Sequence, residues 1–123
     1  MTLDTADFKR FNMPALLSRQ VKKVDPVDPT KWVRDKDWYQ EIREKYFYLF
    51  RFLEENELSK RPLPRRVEDV DEVVVFDSDL TDVGRALLKS GAVERWLKSF
   101  DKPGSKKQWA NVSYLIEALR KIS

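Results

Sequence analysis

The 123-residue sequence predicts a mainly α domain of four to five helices, with a short β element near residues 67–76. Three observations carry that expectation. Residues 37–57, "DWYQEIREKYFYLFRFLEENE", repeat apolar side chains at helical spacing. Residues 81–121 resume that spacing between helix-start and helix-stop residues. Between them, "VVVF" at 73–76 is the one clear β-branched run, too short for a helix.

Taken in order, residues 1–123 read as one domain, with 1–11 a flexible arm. Asn12 ahead of Met13-Pro14 is an N-cap with proline tolerated in the first turn, and "PALLSRQVKK" continues as a short helix ending before Pro26. The two Asp-Pro pairs of "VDPVDPTKWVRDKD" imply an extended connector, because proline drives the residue before it out of the helical region. In 37–57, Trp38, Ile42, Tyr46, Leu49 and Leu53 form one face, and Tyr39, Phe47 and Phe50 widen it. A face that broad suits a central helix. The charge and prolines of "LSKRPLPRRVEDVDE" give a loop, and "VVVF" needs a partner strand, for which residues 67–70 are the nearest choice in a hairpin. Leu80, Val83, Ala86, Leu87 and Leu88 make the next apolar face, closed at Ser90-Gly91. Val93, Trp96, Leu97 and Phe100 make another, closed at Pro103-Gly104. Ser105 with Gln108 matches a capping box for a last helix running to about Lys121, with Trp109, Val112, Ile116 and Leu119 on one side.

Composition excludes more functions than it suggests. Cysteine and histidine are both absent, so Ser-His-Asp and Cys-His catalysis cannot be built, and a zinc site would have to be all-carboxylate. Neither a metal nor a cofactor is expected. No apolar run approaches the ~20 residues of a membrane span, and residues 1–13 lack a signal-peptide layout, so a cytoplasmic protein without membrane contact is expected. A net charge of +3 from 24 cations and 21 anions is modest for a nucleic-acid domain.

"VVVFDSDLTD", residues 73–82, resembles the first signature of haloacid-dehalogenase-type phosphatases, where a strand delivers a nucleophilic aspartate and an acid two residues on. That would make Asp77 and Asp79 a phosphotransferase pair. The resemblance also implies a doubly wound sheet after the motif, but the residues beyond Asp79 read as helices, and Leu80 stands where that family carries glycine. The plain reading accounts for every residue: turn formers Asp77, Ser78 and Asp79 after a strand, then Thr81 as N-cap with Asp82 in the first turn.

Two charged clusters and one aromatic remain as candidate partner-binding residues. Glu68, Asp69, Asp71, Glu72, Asp77, Asp79 and Asp82 form an acidic strip without Ca²⁺-loop spacing. Lys60, Arg61, Arg65 and Arg66 surround two prolines in "SKRPLPRR". Trp32, inside the connector, either pins the loop to the body or anchors an interface. The phosphate-binding alternative uses the basic loop with Lys98, Lys102, Lys106 and Lys107.

The stretches "FLEENELSKRPL" and "DLTDVGRALLKSGAVERWLKSFDKPG" carry a resemblance, over residues 38–102, to small bacterial immunity-type proteins of polymorphic and contact-dependent toxin systems. It implies a non-enzymatic protein that binds and neutralises a cognate toxin domain. A small phage- or plasmid-type nucleic-acid-binding protein is the alternative, and an Asp-based phosphotransferase a third.

Overall fold

The computed structural model describes residues 8–100 and 108–122. In chain order the elements are β1 (Lys9–Asn12), α1 (Met13–Leu17), β2 (Lys22–Val24), β3 (Trp32–Arg34), α2 (Lys36–Glu55), β4 (Val74–Phe76), α3 (Asp82–Lys89), α4 (Ala92–Ser99) and α5 (Ser113–Ile122). Short 3-10 helices over Val67–Glu72 and Asp77–Asp79 flank β4. The molecule is thus mixed: helices dominate, and two two-stranded antiparallel pairs, β1–β4 and β2–β3, replace the single expected β element.

α2 forms because its apolar positions recur at helical spacing, and because Asp35 accepts the Trp38 N–H at 3.1 Å as N-cap. It ends at Asn56. Glu57 enters the left-handed region at φ 58°, and the Leu58 N–H reaches back to the Leu53 carbonyl at 2.8 Å. That bond and the burial of both leucines make a Schellman closure without its usual glycine. Tyr39, Ile42, Leu49, Phe50, Phe52 and Leu53 are buried. Neighbours stand on several sides of the helix: Phe11 of β1 meets Tyr46 and Phe50 edge-on, Asp71 pairs with Arg43, and the Lys45 ammonium lies 3.5 Å from the Leu97 carbonyl of α4. Lys45 is buried on a stripe that is otherwise aromatic and aliphatic.

Several expectations are corrected. Residues 9–11, placed in the arm, belong with Asn12 to β1, whose partner is β4. The partner expected for β4, residues 67–70, is a 3-10 helix whose exposed acids sit outside while Val70 turns fully inward. The helix expected to run to Lys23 stops at Leu17, and residues 22–24 pair instead with 32–34, so the connector is a hairpin. Its turn is held by Asp25, which accepts the Val27 N–H, and Asp28, which accepts from Thr30. α5 begins at Ser113, where Asn111 Oδ1 accepts both the backbone N–H and hydroxyl of that serine. Leu115 is its buried residue, and Trp109, Val112 and Leu119 pack against the core as expected, whereas Ile116 is exposed. The Pro103-Gly104 stop and the Ser105 half of the expected capping box lie outside the described residues.

Other details match. Asn12 caps α1 and Thr81 caps α3, each through a side-chain oxygen accepting the N–H three residues on, at 3.1 Å. Gly91, at φ 82°, separates α3 from α4.

Candidate functional site

The acidic strip is largely paired. Asp71 meets Arg43 Nε at 2.8 Å, Asp77 meets Arg10 Nε at 2.7 Å, and Asp79 meets Arg61 Nε at 3.4 Å. Asp82 bonds to Arg85 one turn along α3. Glu68, Asp69 and Glu72 remain exposed on the 3-10 helix with no ion pair among the described residues. Neither strip nor loop brings three carboxylates together, and no metal-holding cluster is found among the described residues.

The basic loop divides in the same way. Arg61 is spent between Asp79 and the Val74 carbonyl, and Arg65 reaches Glu54 at 3.4 Å. Lys60 and Arg66 point to solvent. The Glu54 carboxyl is held below its ordinary range, chiefly by the N–H of Leu63 and secondarily by Arg51. These pairs fasten residues 58–66 to α2 and to the 3-10 turn after β4. Exposed pairs of this kind contribute ~0–1 kcal/mol each. Lys98 is bound to Glu94 at 2.9 Å, while Lys102, Lys106 and Lys107 lie outside the described residues.

Asp77 and Asp79 have structural partners. Besides its pair with Arg10, Asp77 starts the 3-10 turn, and its N–H donates to the Phe8 carbonyl at 2.7 Å. Asp79 accepts the Phe76 N–H at 2.9 Å and closes that turn. β4 lies antiparallel to β1 rather than within a parallel sheet.

Trp32 is where the surface becomes distinctive. The ring is 66% exposed, so it does not pin the connector to the body. In the β2–β3 register Val24 stands opposite Trp32 and Lys22 opposite Arg34. Alternation sends these four to one face of the hairpin and sends Lys23 and Val33 to the other. Val24 is 43% exposed, and Val27 in the turn is 90% exposed. The outward face therefore carries Val24 and Trp32 beside the cations Lys22 and Arg34, with Val27 exposed in the adjoining turn.

The hairpin is tied to the first turns of α2. The Tyr39 hydroxyl donates to the Arg19 carbonyl and accepts the Val21 N–H at 3.2 Å. Arg34 stacks its guanidinium 4.0 Å from the Tyr39 ring centre. On the inward face Lys23 pairs with Asp37 at 3.3 Å. Val24 and Val27 were not among the sequence candidates, although two short runs, "KKV" and "WVR", around an Asp-rich turn are a hairpin signal.

In comparisons with protein-family models, curated proteins and solved structures, no match to the chain was found. No helix among the described residues is long and apolar enough to cross a membrane.

Proposed function

We propose that this chain is a non-enzymatic interaction protein that engages a protein partner through the β2–β3 hairpin. In its finer form, following the resemblance over residues 38–102, it is an immunity protein that binds and neutralises a cognate bacterial toxin domain in the cytoplasm. The observation that carries the reading is the hairpin: Trp32 and Val24 stand opposite one another in water, with Val27 exposed in the turn, on an arm tied to α2. Exposed aromatics rimmed by cations are typical anchors of protein interfaces, where a tryptophan contributes far more than its neighbours. The acids Glu68, Asp69 and Glu72 and the cations Lys60 and Arg66 form a second, charged surface that can steer encounter.

Co-purification with the product of the adjacent gene tests this directly. The expected outcome is a complex, protection of cells from that product, and at least tenfold weaker binding for Trp32→Ala. No complex together with no protection would sink the proposal.

A nucleic-acid partner is the second reading, favoured by one observation: Trp32 shares its face with Lys22 and Arg34, an aromatic platform beside cations. Phosphate-driven binding weakens steeply between about 50 and 200 mM salt. A gel shift that is blank even at the lower salt dismisses it.

A further inference from the structure

Below the hairpin's outward face, one concavity gathers cations without counter-ions. The segment leading from α1 into β2 curves round Arg34 and Tyr39 to form an open groove of about 320 Å³. Arg19, Lys22 and Arg34 all line it, and no residue of the lining is acidic. All three are exposed, and none has an ion-pair partner among the described residues. The carboxylates nearest in sequence are engaged elsewhere. Asp35 caps α2 and stands 4.0 Å from Lys23, Asp37 pairs with that same lysine, and Asp25 accepts the Val27 N–H. Three like charges around one groove repel one another, and an anion between them relieves that repulsion.

The walls are already ordered. The Arg34 guanidinium lies over the Tyr39 ring, 4.0 Å from its centre, and the Tyr39 hydroxyl holds the backbone of Arg19 and Val21 on either side of Gln20. A guanidinium presents a planar donor fork matched to an oxyanion. A single carboxylate would leave two of the three charges unbalanced. A phosphate monoester brings about −1.5 to −2 charges at neutral pH and three acceptor oxygens.

We propose that the groove lined by Arg19, Lys22 and Arg34 binds a phosphate group, carried either by a small phosphorylated molecule or by the phosphorylated end of a nucleic acid. Trp32 lies two residues from Arg34 on the same face of β3, about 7 Å along the strand, and offers a stacking surface to whatever ring the phosphate bears. The site does not depend on the protein-partner reading: it is read from phosphate binding to the isolated chain, that reading from complex formation.

The test is a titration of the full chain with inorganic diphosphate, followed by amide NMR at constant ionic strength, with chloride as the control anion. Saturable shifts confined to amides 18–22 and 34 are expected, with binding weakened about tenfold or more in Lys22→Gln/Arg34→Gln and unchanged in Lys89→Gln. Should the first variant not fold, Arg19→Gln/Lys22→Gln leaves the Tyr39 stack intact and serves the same purpose. A 5′-phosphorylated oligonucleotide separates the sources: binding by diphosphate assigns the site to small phosphorylated molecules, and binding by the oligonucleotide alone assigns it to a nucleic-acid end. Absence of saturable shifts with both probes, equal shifts in the charge-removed variants, or tighter binding of a polyglutamate peptide at the same amides would overturn the proposal.

Discussion

Thr81 and Asp77 lie four residues apart in one motif and make different contributions. Thr81 accepts the Gly84 N–H and so satisfies an otherwise orphaned donor of α3. Thr81→Ala is expected to cost about 1 kcal/mol in urea denaturation. Asp77→Asn is expected to cost less, under ~1 kcal/mol, because its pair with Arg10 is partly solvated and asparagine keeps the turn chemistry. If Asp77→Asn proved the costlier of the two, the aspartate would carry more than a turn and a surface pair. Glu54 gives a pH signature. Its folded pKa lies below the ordinary 4.5, so its stabilisation is fully present above that value and is lost as pH falls through the folded value. Urea midpoints measured on either side of pH 4.5 should therefore fall less steeply with acid in Glu54→Gln than in the parent chain. An unchanged slope would show that the Leu63 N–H does not favour the ionised form.

At the scale of elements, two backbone positions invert the usual glycine rules. Glu57 occupies a left-handed site that favours glycine, so Glu57→Gly should raise stability by about 0.5 kcal/mol, strain relief slightly outweighing the added freedom of the unfolded chain. Gly84 lies within a helix, where alanine is normally better by ~1 kcal/mol, yet a Cβ there would meet the Leu58 carbonyl oxygen at 2.6 Å. Gly84→Ala should therefore destabilise by roughly 1–3 kcal/mol, as overpacking against backbone does. A rise in melting temperature for that variant would mean the α3–Leu58 contact opens freely. The helices with legible faces were α2, α4 and, apart from Val83, which is exposed because the α3 face turns about the buried Gly84 and Leu87, α3; their apolar periods are local signals written within one element. β1 was illegible for the opposite reason, and β2 and β3 left only the weak signal of two short runs around an Asp-rich turn. Strands of three or four residues are too short for alternation to register, and "KRFN" gains its identity from residues 74–76, far along the chain. The site followed the same rule. Trp32 was visible as an aromatic among prolines, whereas its alignment with Val24, Lys22 and Arg34 is a property of cross-strand register. The acidic strip and basic loop were visible as composition, but composition does not reveal that Arg61 closes on Asp79 or Arg43 on Asp71.

For the whole molecule, the core is one cluster running from Met13 to Leu115, with α2 contributing its largest share. Leu49 is fully buried within it, and Leu49→Ala should cost about 2–5 kcal/mol by leaving a cavity, the largest loss among the substitutions considered. A loss below that of Thr81→Ala in the same denaturant series would mean that the surrounding rings collapse into the gap. The β1–β4 pair gives the molecule a timetable as well as a shape. Arg10 and Asp77, which meet across it, are separated by 67 positions, and synthesis at about 5–20 residues per second inserts a delay of roughly 3–13 s between them. Throughout that interval the ribosome-borne chain carries "KRFN" with its edge unsatisfied, while α2 is complete but has nothing of β4 to close against. The strand that pairs last therefore closes the period in which the β1 edge stands open, and an arrested chain lacking residues 74–76 keeps that edge exposed.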